Sequence, residues 1–295
     1  MPKTHFICKD GETCRIERCL RRHGCRMGER CAPLPYLNFA AEDWRFKRVT
    51  PSMAGNGPRY IYLKETIDYA EKPEDMAFAS TGIHTHDRLA QEKLTKAVLS
   101  EERLTDEQMT GIVDELEEDE DAPGFYVLTD YKTWGSFMVA KALGIVTIDV
   151  PMVDDNGNPV YYVRGKNKGQ QKMVKEVTLD PSRSEMPGTE YQLNRYRIMI
   201  EGYGFPVSKM RVFAIPRDAG TWIAEKRGIT DRTYIIPVRK LPDEKVLDYY
   251  FGLQQEIDHA FRTGDARKCA PWECWDGIRC DRYCPVREAC DDMGV

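Results

Sequence analysis

In the run FYVLTDYKTWG (residues 125–135), apolar residues lead into Asp130, and Lys132 follows one residue later. Strand alternation sends both side chains to the same face. Such a pair is a plain ion pair, or it is half of a metal-dependent hydrolytic site. In the second role the carboxylate ligates a divalent ion, and the lysine steers an attacking water or steadies developing negative charge. Asp-x-Lys is a common spacing, so its surroundings decide the reading. His84 and His86 stand close together in ASTGIHTHDRLAQEKLTKAVL (residues 79–99). They serve a metal, or they simply lie on an exposed helix.

The third chemical group is sulfur. Ten cysteines divide into Cys8, Cys14, Cys19, Cys25 and Cys31 at one end and Cys269, Cys274, Cys280, Cys284 and Cys290 at the other. No apolar run approaches membrane-spanning length, and MPKTHFICKDGE lacks the apolar core of a signal peptide. A cytoplasmic, reducing setting with no membrane partner is therefore expected, and metal-bound ends explain the cysteines better than disulfides do. Residues 1–33 hold too few apolar residues for an independent core, so a metal or the main domain must hold them. Four thiolates around zinc is one reading there, and buried or unused thiols is the other. Their neighbours Arg15, Arg18, Arg21, Arg22 and His23 give a positive edge. In the tail, Cys274, Cys280, Cys284 and Cys290 are separated by five, three and five residues. An iron–sulfur cluster and a structural zinc both suit that sulfur-rich set. Trp272, Trp275 and Tyr283 would cover such a group, stack on bases, or pack in a core.

With 295 residues, 41% hydrophobic, the chain can bury a substantial core. Its formal net charge of -5 argues against a passive coat for a polyanion, which would have to meet a local basic patch. The most basic stretch of the middle, RGKNKGQQKMVKE, carries Arg164, Lys166, Lys168, Lys172 and Lys175. It is either a phosphate-contacting surface or a solvated loop.

The positioning elements follow from periodicity and turn chemistry. Arg59 to Ala70 reads as a helix after a Gly- and Pro-marked loop, and a second helix begins near His84 and carries Leu89, Leu94 and Leu99. Residues 104–121 read either as one capped helix or as a short helix followed by a strand, IVDEL. The strand reading makes Asp114 a hairpin neighbour of Asp130, so that two carboxylates and Lys132 converge. Hard oxygen ligands of that kind suit magnesium or manganese. Beyond Lys132 come a helix, then two strands joined by an Asn156-Gly157 turn. A helix at 191–203 sets Gln192 and Tyr196 on one stripe. Strands near 209–218 and 232–241 and a long amphipathic helix from Pro242 complete the core.

Together these pieces resemble the RecB-like branch of the PD-(D/E)XK nucleases, particularly the CRISPR-associated exonucleases with cysteine-bound iron–sulfur clusters and the AddB helicase–nuclease subunit. The resemblance covers most of residues 51–290 through several loose motifs in the right order. Gly82 followed four residues later by His86, Gly111 leading to Asp114, Asp130-x-Lys132-Thr133, and Gln192 with Tyr196 carry it. Pro58-Arg59 and Tyr62-Leu63 resemble the start of the domain. The resemblance favours a strand at 111–116 and singles out His86 over His84. It implies that His86, Asp114 and Asp130 ligate the catalytic ion, that Lys132 orients water, and that Gln192 and Tyr196 position the phosphate. Members with a cluster place one cysteine ahead of the core, where this chain has Gly57, and begin the last three with a CxxC that is missing here. A [4Fe–4S] cluster on Cys280, Cys284 and Cys290 is then expected, completed by Cys31 or another N-terminal cysteine, or by Cys274. The other N-terminal thiolates would bind zinc or be spare.

The expected fold is an α/β PD-(D/E)XK (restriction-endonuclease-like) core, with a central mixed sheet flanked by helices. Residues 1–50 form a cysteine-rich segment, 51–268 the nuclease core and 269–295 a metal-binding tail packed on it. The function implied is a Mg2+- or Mn2+-dependent deoxyribonuclease, an exonuclease on single-stranded or end-bearing DNA, with a recombination, repair or CRISPR-type protein partner. A non-catalytic nucleic-acid-binding or scaffold protein with structural metal sites is the rival. A redox or radical enzyme is disfavoured, because no CxxxCxxC run and no cofactor-binding glycine motif occurs.

Overall fold

The computed structural model describes residues 3–43, 45–92 and 97–294. Strand β1 (Lys3–Ile7) turns through Gly11 into β2 (Thr13–Arg15), with Phe6 opposite Cys14. Helices α1 (Ile16–Leu20) and α2 (Leu34–Ala41) bury Ile16, Cys19, Leu37 and Ala40 with Phe6 and Cys14. The cluster is completed by Leu37 and Ala40 of α2, beyond residues 1–33, with Met76 packed against it. That core is small, and two of its six buried members are thiols.

Helix α3 (Pro58–Thr66) follows, with proline in its first turn. It ends before the expected Ala70, because Tyr69 and Ala70 belong to strand β3 (Tyr69–Glu71), which pairs in parallel with β1. Long-range pairing overrides local helical pattern at that point. Helix α4 (Ala77–Ala90) begins earlier than expected, so His84 and His86 lie in its second half. Leu99 is not helical but lies in strand β4 (Ala97–Thr105), and Leu94 is outside the described residues. Residues 110–118 are extended as β5 (Thr110–Glu118), which pairs antiparallel with β4 and with β6 (Tyr126–Lys132).

Beyond β6 come α5 (Ser136–Leu143), β7 (Ile145–Pro151) and β8 (Met173–Leu179). The Asn156-Gly157 turn forms, with Gly157 at φ 81° and the Asp154 carboxylate accepting from the Asn156 and Asn158 amides. The main ladder of β7 is nevertheless with β8, because only a short bridge, Val153 to Pro159, closes around the turn. Helix α6 (Pro187–Gly202), strand β9 (Val207–Ala214), helix α7 (Trp222–Lys226) and strand β10 (Tyr234–Val238) follow. The chain closes with α8 (Asp243–Thr263), α9 (Ile278–Arg282) and α10 (Arg287–Asp292).

A mixed α/β fold results, with a central five-stranded sheet ordered β10-β9-β6-β5-β4, helices flanking it, and cysteines near both ends of the chain. The chain forms two compact units, one of residues 1–130, 187–210 and 238–295 and one of 131–186 and 211–237. In the first, α6 buries Leu193, Tyr196, Met199 and Ile200, and α8 buries Val246, Tyr250, Leu253 and Ile257. Asn194, buried on α6, is fully partnered: it donates to the Glu190 and Arg239 carbonyls and accepts from the Leu241 amide. Arg59 of α3, only 3% exposed, donates to the carbonyls of Ala266, Cys290 and Gly294 and so ties α3 to the tail.

Gly111 of β5 marks a close approach. A β-carbon there would lie 2.5 Å from Tyr196 Cε1 and 3.0 Å from Pro51 Cδ. Gly111→Ala should therefore push the Tyr196 ring off the sheet and destabilise the protein by about 1–3 kcal/mol. A lowered denaturation midpoint with an unchanged m-value checks this, and an unchanged midpoint contradicts it.

Candidate metal centre

The registers of β4, β5 and β6 align three carboxylates. The pairs Ser100–Glu115 and Glu102–Val113 bracket Glu101 opposite Asp114. The pair Glu115–Thr129, continued by one residue, sets Asp114 beside Asp130. Residues directly opposite share a face, so Glu101, Asp114 and Asp130 form a row across three strands. Strand alternation adds Lys132 to the face of Asp130. Like charges in such a row are destabilising unless a cation offsets them.

His86 meets this row from α4. Its Nδ1 lies 3.1 Å from Glu101 Oε1 and 3.5 Å from Asp114 Oδ2. Among the described residues, His86, Glu101 and Asp114 are the three side chains whose ligand atoms all lie within 4.8 Å of one another. Asp130 stands outside that trio, buried at 3% exposure, with Oδ1 accepting from Gln192 Nε2 at 3.2 Å. His84 is exposed on α4 and is not part of the group. Glu101 went unforeseen, since nothing local distinguishes it in SEERL. Its backbone does: Glu101 has φ 48°, a left-handed conformation rare for a residue of this type inside a strand. Strain of that kind persists where the surrounding structure enforces it, often at functional sites.

The electrostatics are those of a negative well. The His86 imidazole is pushed up to about 9, chiefly by its hydrogen bond to Asp114 and against the effect of burial, with Glu101 adding to the rise. Burial first and the Asp114 charge second push the Glu101 carboxyl up. Tyr196 lies within reach of both aspartates. Burial and then the charges of Asp130 and Asp114 hold its phenol well above the ordinary tyrosine range, so it stays a neutral donor at physiological pH. Its hydroxyl is hydrogen-bonded to Gln192 and to the Ile112 backbone. Gln192 and Tyr196 of α6 therefore brace Asp130 and β5, as their i,i+4 spacing allows. Three carboxylates and one imidazole are a donor set that fits a hard divalent ion.

The cysteines gather in two separate groups, all as free thiols. In the tail, Cys280 lies in the electrostatic reach of Cys274, Cys284 and Cys290, and burial leads the causes that raise its thiol. Cys269, which sequence reasoning left unassigned, feels Cys280 as well, and burial pushes it up to about 11. A β-carbon on Gly57 would lie 2.5 Å from Cys269 Sγ, so Cys269 fills the space beside the position where the resembled nucleases carry their leading cysteine. At the other end, burial first and then the thiols of Cys14, Cys25, Cys31 and Cys8 push Cys19 up to about 11. Cys31 is thus among the thiols around Cys19.

In the second unit, Arg164, Lys166, Lys168 and Lys175 are exposed and Lys172 is half-buried over the Tyr162 ring. Among the described residues no helix is long and apolar enough to cross a membrane. Set against protein-family models, curated proteins and solved structures, the chain finds no match.

Because the folded His86 pKa lies above the unfolded value of about 6.5, its charge contributes stability fully below pH ~6.5. That contribution is lost as pH rises through about 9. In the metal-free protein, NMR titration should place His86 near 9, and Asp114→Asn should return it toward ~6.5. An unshifted wild-type imidazole would contradict the geometry.

Proposed function

We propose that this chain is a divalent-metal-dependent deoxyribonuclease of the PD-(D/E)XK, RecB-like type. One observation carries the reading: the carboxylates of Glu101, Asp114 and Asp130 in a row across β4, β5 and β6, with His86 against them. The ordered motifs from Gly82 to Tyr196 support the same assignment. His86, Glu101 and Asp114 would hold Mg2+ or Mn2+, with Asp130 beside them. Such an ion, when bound, supplies Lewis-acid polarisation of the phosphodiester and a more acidic water.

The chain's own residues do the rest. Lys132, two residues along β6 from Asp130, brings an ammonium to the face where negative charge builds up on the phosphate oxygens. Gln192 fixes the Asp130 carboxylate through its 3.2 Å bond. Tyr196, held neutral and accepting from Gln192 and the Ile112 amide, keeps its phenol proton for the phosphate. The basic residues between Arg164 and Lys175 give a surface for the DNA backbone, and end-bearing or single-stranded DNA is the substrate class the resemblance favours. The tail thiols Cys280, Cys284 and Cys290, completed by Cys269 or Cys274, suit a [4Fe–4S] cluster that holds the tail in place without joining in hydrolysis.

The test is digestion of end-labelled single- and double-stranded DNA with Mg2+ or Mn2+. Wild type should cut, while Glu101→Gln, Asp130→Ala and Lys132→Ala should each lose about 10²-fold or more, with iron and zinc contents unchanged. Wild type replete in metal that cuts no substrate would replace this reading with a nucleic-acid-binding or scaffold role.

A further inference from the structure

The N-terminal thiols lie outside the reading above. Five of them occur within 24 residues, from Cys8 to Cys31; Cys8, Cys14 and Cys19 meet in one apolar cluster, and Cys25 and Cys31 line one hollow beside it. Cys8 stands just past the end of β1, Cys19 is in the last turn of α1, and Cys25 and Cys31 lie in the connection from α1 to α2. That connection has no regular structure. It is pinned where Arg30 reaches the Leu20 and Arg21 carbonyls. It encloses an open hollow of about 590 Å³ lined by His23, Cys25, Glu29, Arg30 and Cys31 among others, rather than a packed interior. At Gly24 it passes so close to α1 that a β-carbon would lie 1.8 Å from the Arg18 carbonyl oxygen.

A cluster with six buried members, two of them thiols, holds α1, α2 and the first hairpin together, but Cys25 and Cys31 of the connecting loop are not part of it. We infer that Cys8, Cys19, Cys25 and Cys31 bind one structural Zn2+ that closes this loop onto α1 and β1. Cys14 is the thiol left over. It sits within the β1–β2 ladder opposite Phe6, 5% exposed, with its backbone fixed and its Sγ toward the Arg15 carbonyl. The other four stand at element ends or in the loop, where a small backbone adjustment brings sulfur to a metal, with Cys25 giving up its 3.0 Å bond to the Glu29 carbonyl. Among the described residues no three of these sulfurs lie within 4.8 Å of one another, so the metal draws them in. Each ligating thiol gives its proton to solvent, leaving a centre of net charge -2, which Arg21, Arg22, Arg26 and Arg30 in and beside the loop offset. Zinc suits the place better than iron. Cys31 is exposed, and a redox-inert tetrahedral ion tolerates solvent contact that erodes a cluster.

The full chain, purified without chelator, should carry about one zinc per molecule beyond any iron in the tail. Cys19→Ser, Cys25→Ser and Cys31→Ser should each abolish it, while Cys14→Ala and Cys280→Ser retain it. Exchange of wild type with Co2+ should give thiolate-to-cobalt charge transfer and the strong visible bands of a tetrahedral site, a readout that survives if a variant fails to fold. Iron in place of zinc, cobalt bands lacking thiolate charge transfer, or zinc lost from Cys14→Ala would each overturn the assignment. DNA cleavage does not enter the test, so its outcome and that of the nuclease reading separate cleanly.

Discussion

The central constraint is electrostatic. Three carboxylates on neighbouring strands repel one another, and the fold keeps them side by side. His86 relieves part of the repulsion by holding its proton between Glu101 and Asp114. Gln192 relieves another part by donating to Asp130. Glu101 joins the row with a left-handed backbone, φ 48°, which is rare for such a residue inside a strand. Sheet register, α4 and α6 all serve the same end, which is to keep negative charge concentrated at one depth of the first unit.

Holding such a row demands rigidity around it. Gly111 lets the Tyr196 ring lie directly on β5, and the buried network of Asn194, Arg197 and Glu190 fixes α6 to the residues after β10. Arg267 and Glu273 add a bidentate pair in the tail, with the Glu273 carboxylate fully buried and also accepting from the Ala270 amide. These are charge-assisted bonds in the places where a larger apolar core would otherwise do the holding.

Much of this was legible in the sequence. Strand β6 and helix α6 followed from periodicity, and Asp130 with Lys132 followed from alternation. Residues 111–116 stayed open between helix and strand until motif order favoured the strand, and the structure makes them β5. Glu101 was not legible, because its role comes from register across strands and from a backbone twist that SEERL does not advertise. Cys269 was hidden for a similar reason, since its closeness to Gly57 spans more than two hundred residues. The helix expected through Ala70 stopped short because a partner strand more than sixty residues upstream claimed Tyr69 and Ala70. In each case the missing information was a non-local contact.

The Arg59 guanidinium has a consequence for how the chain is made. Its three carbonyl partners, on Ala266, Cys290 and Gly294, leave the ribosome more than two hundred residues after it. Until then a charged group destined for burial has no acceptors, so α3 must wait in water or in the hands of a chaperone while the sheet is synthesised. The first unit therefore closes around Arg59 only after Gly294 has been made, with the sheet already synthesised. A chain truncated before Ala266 would carry the whole carboxylate row yet none of the three acceptors that bury Arg59.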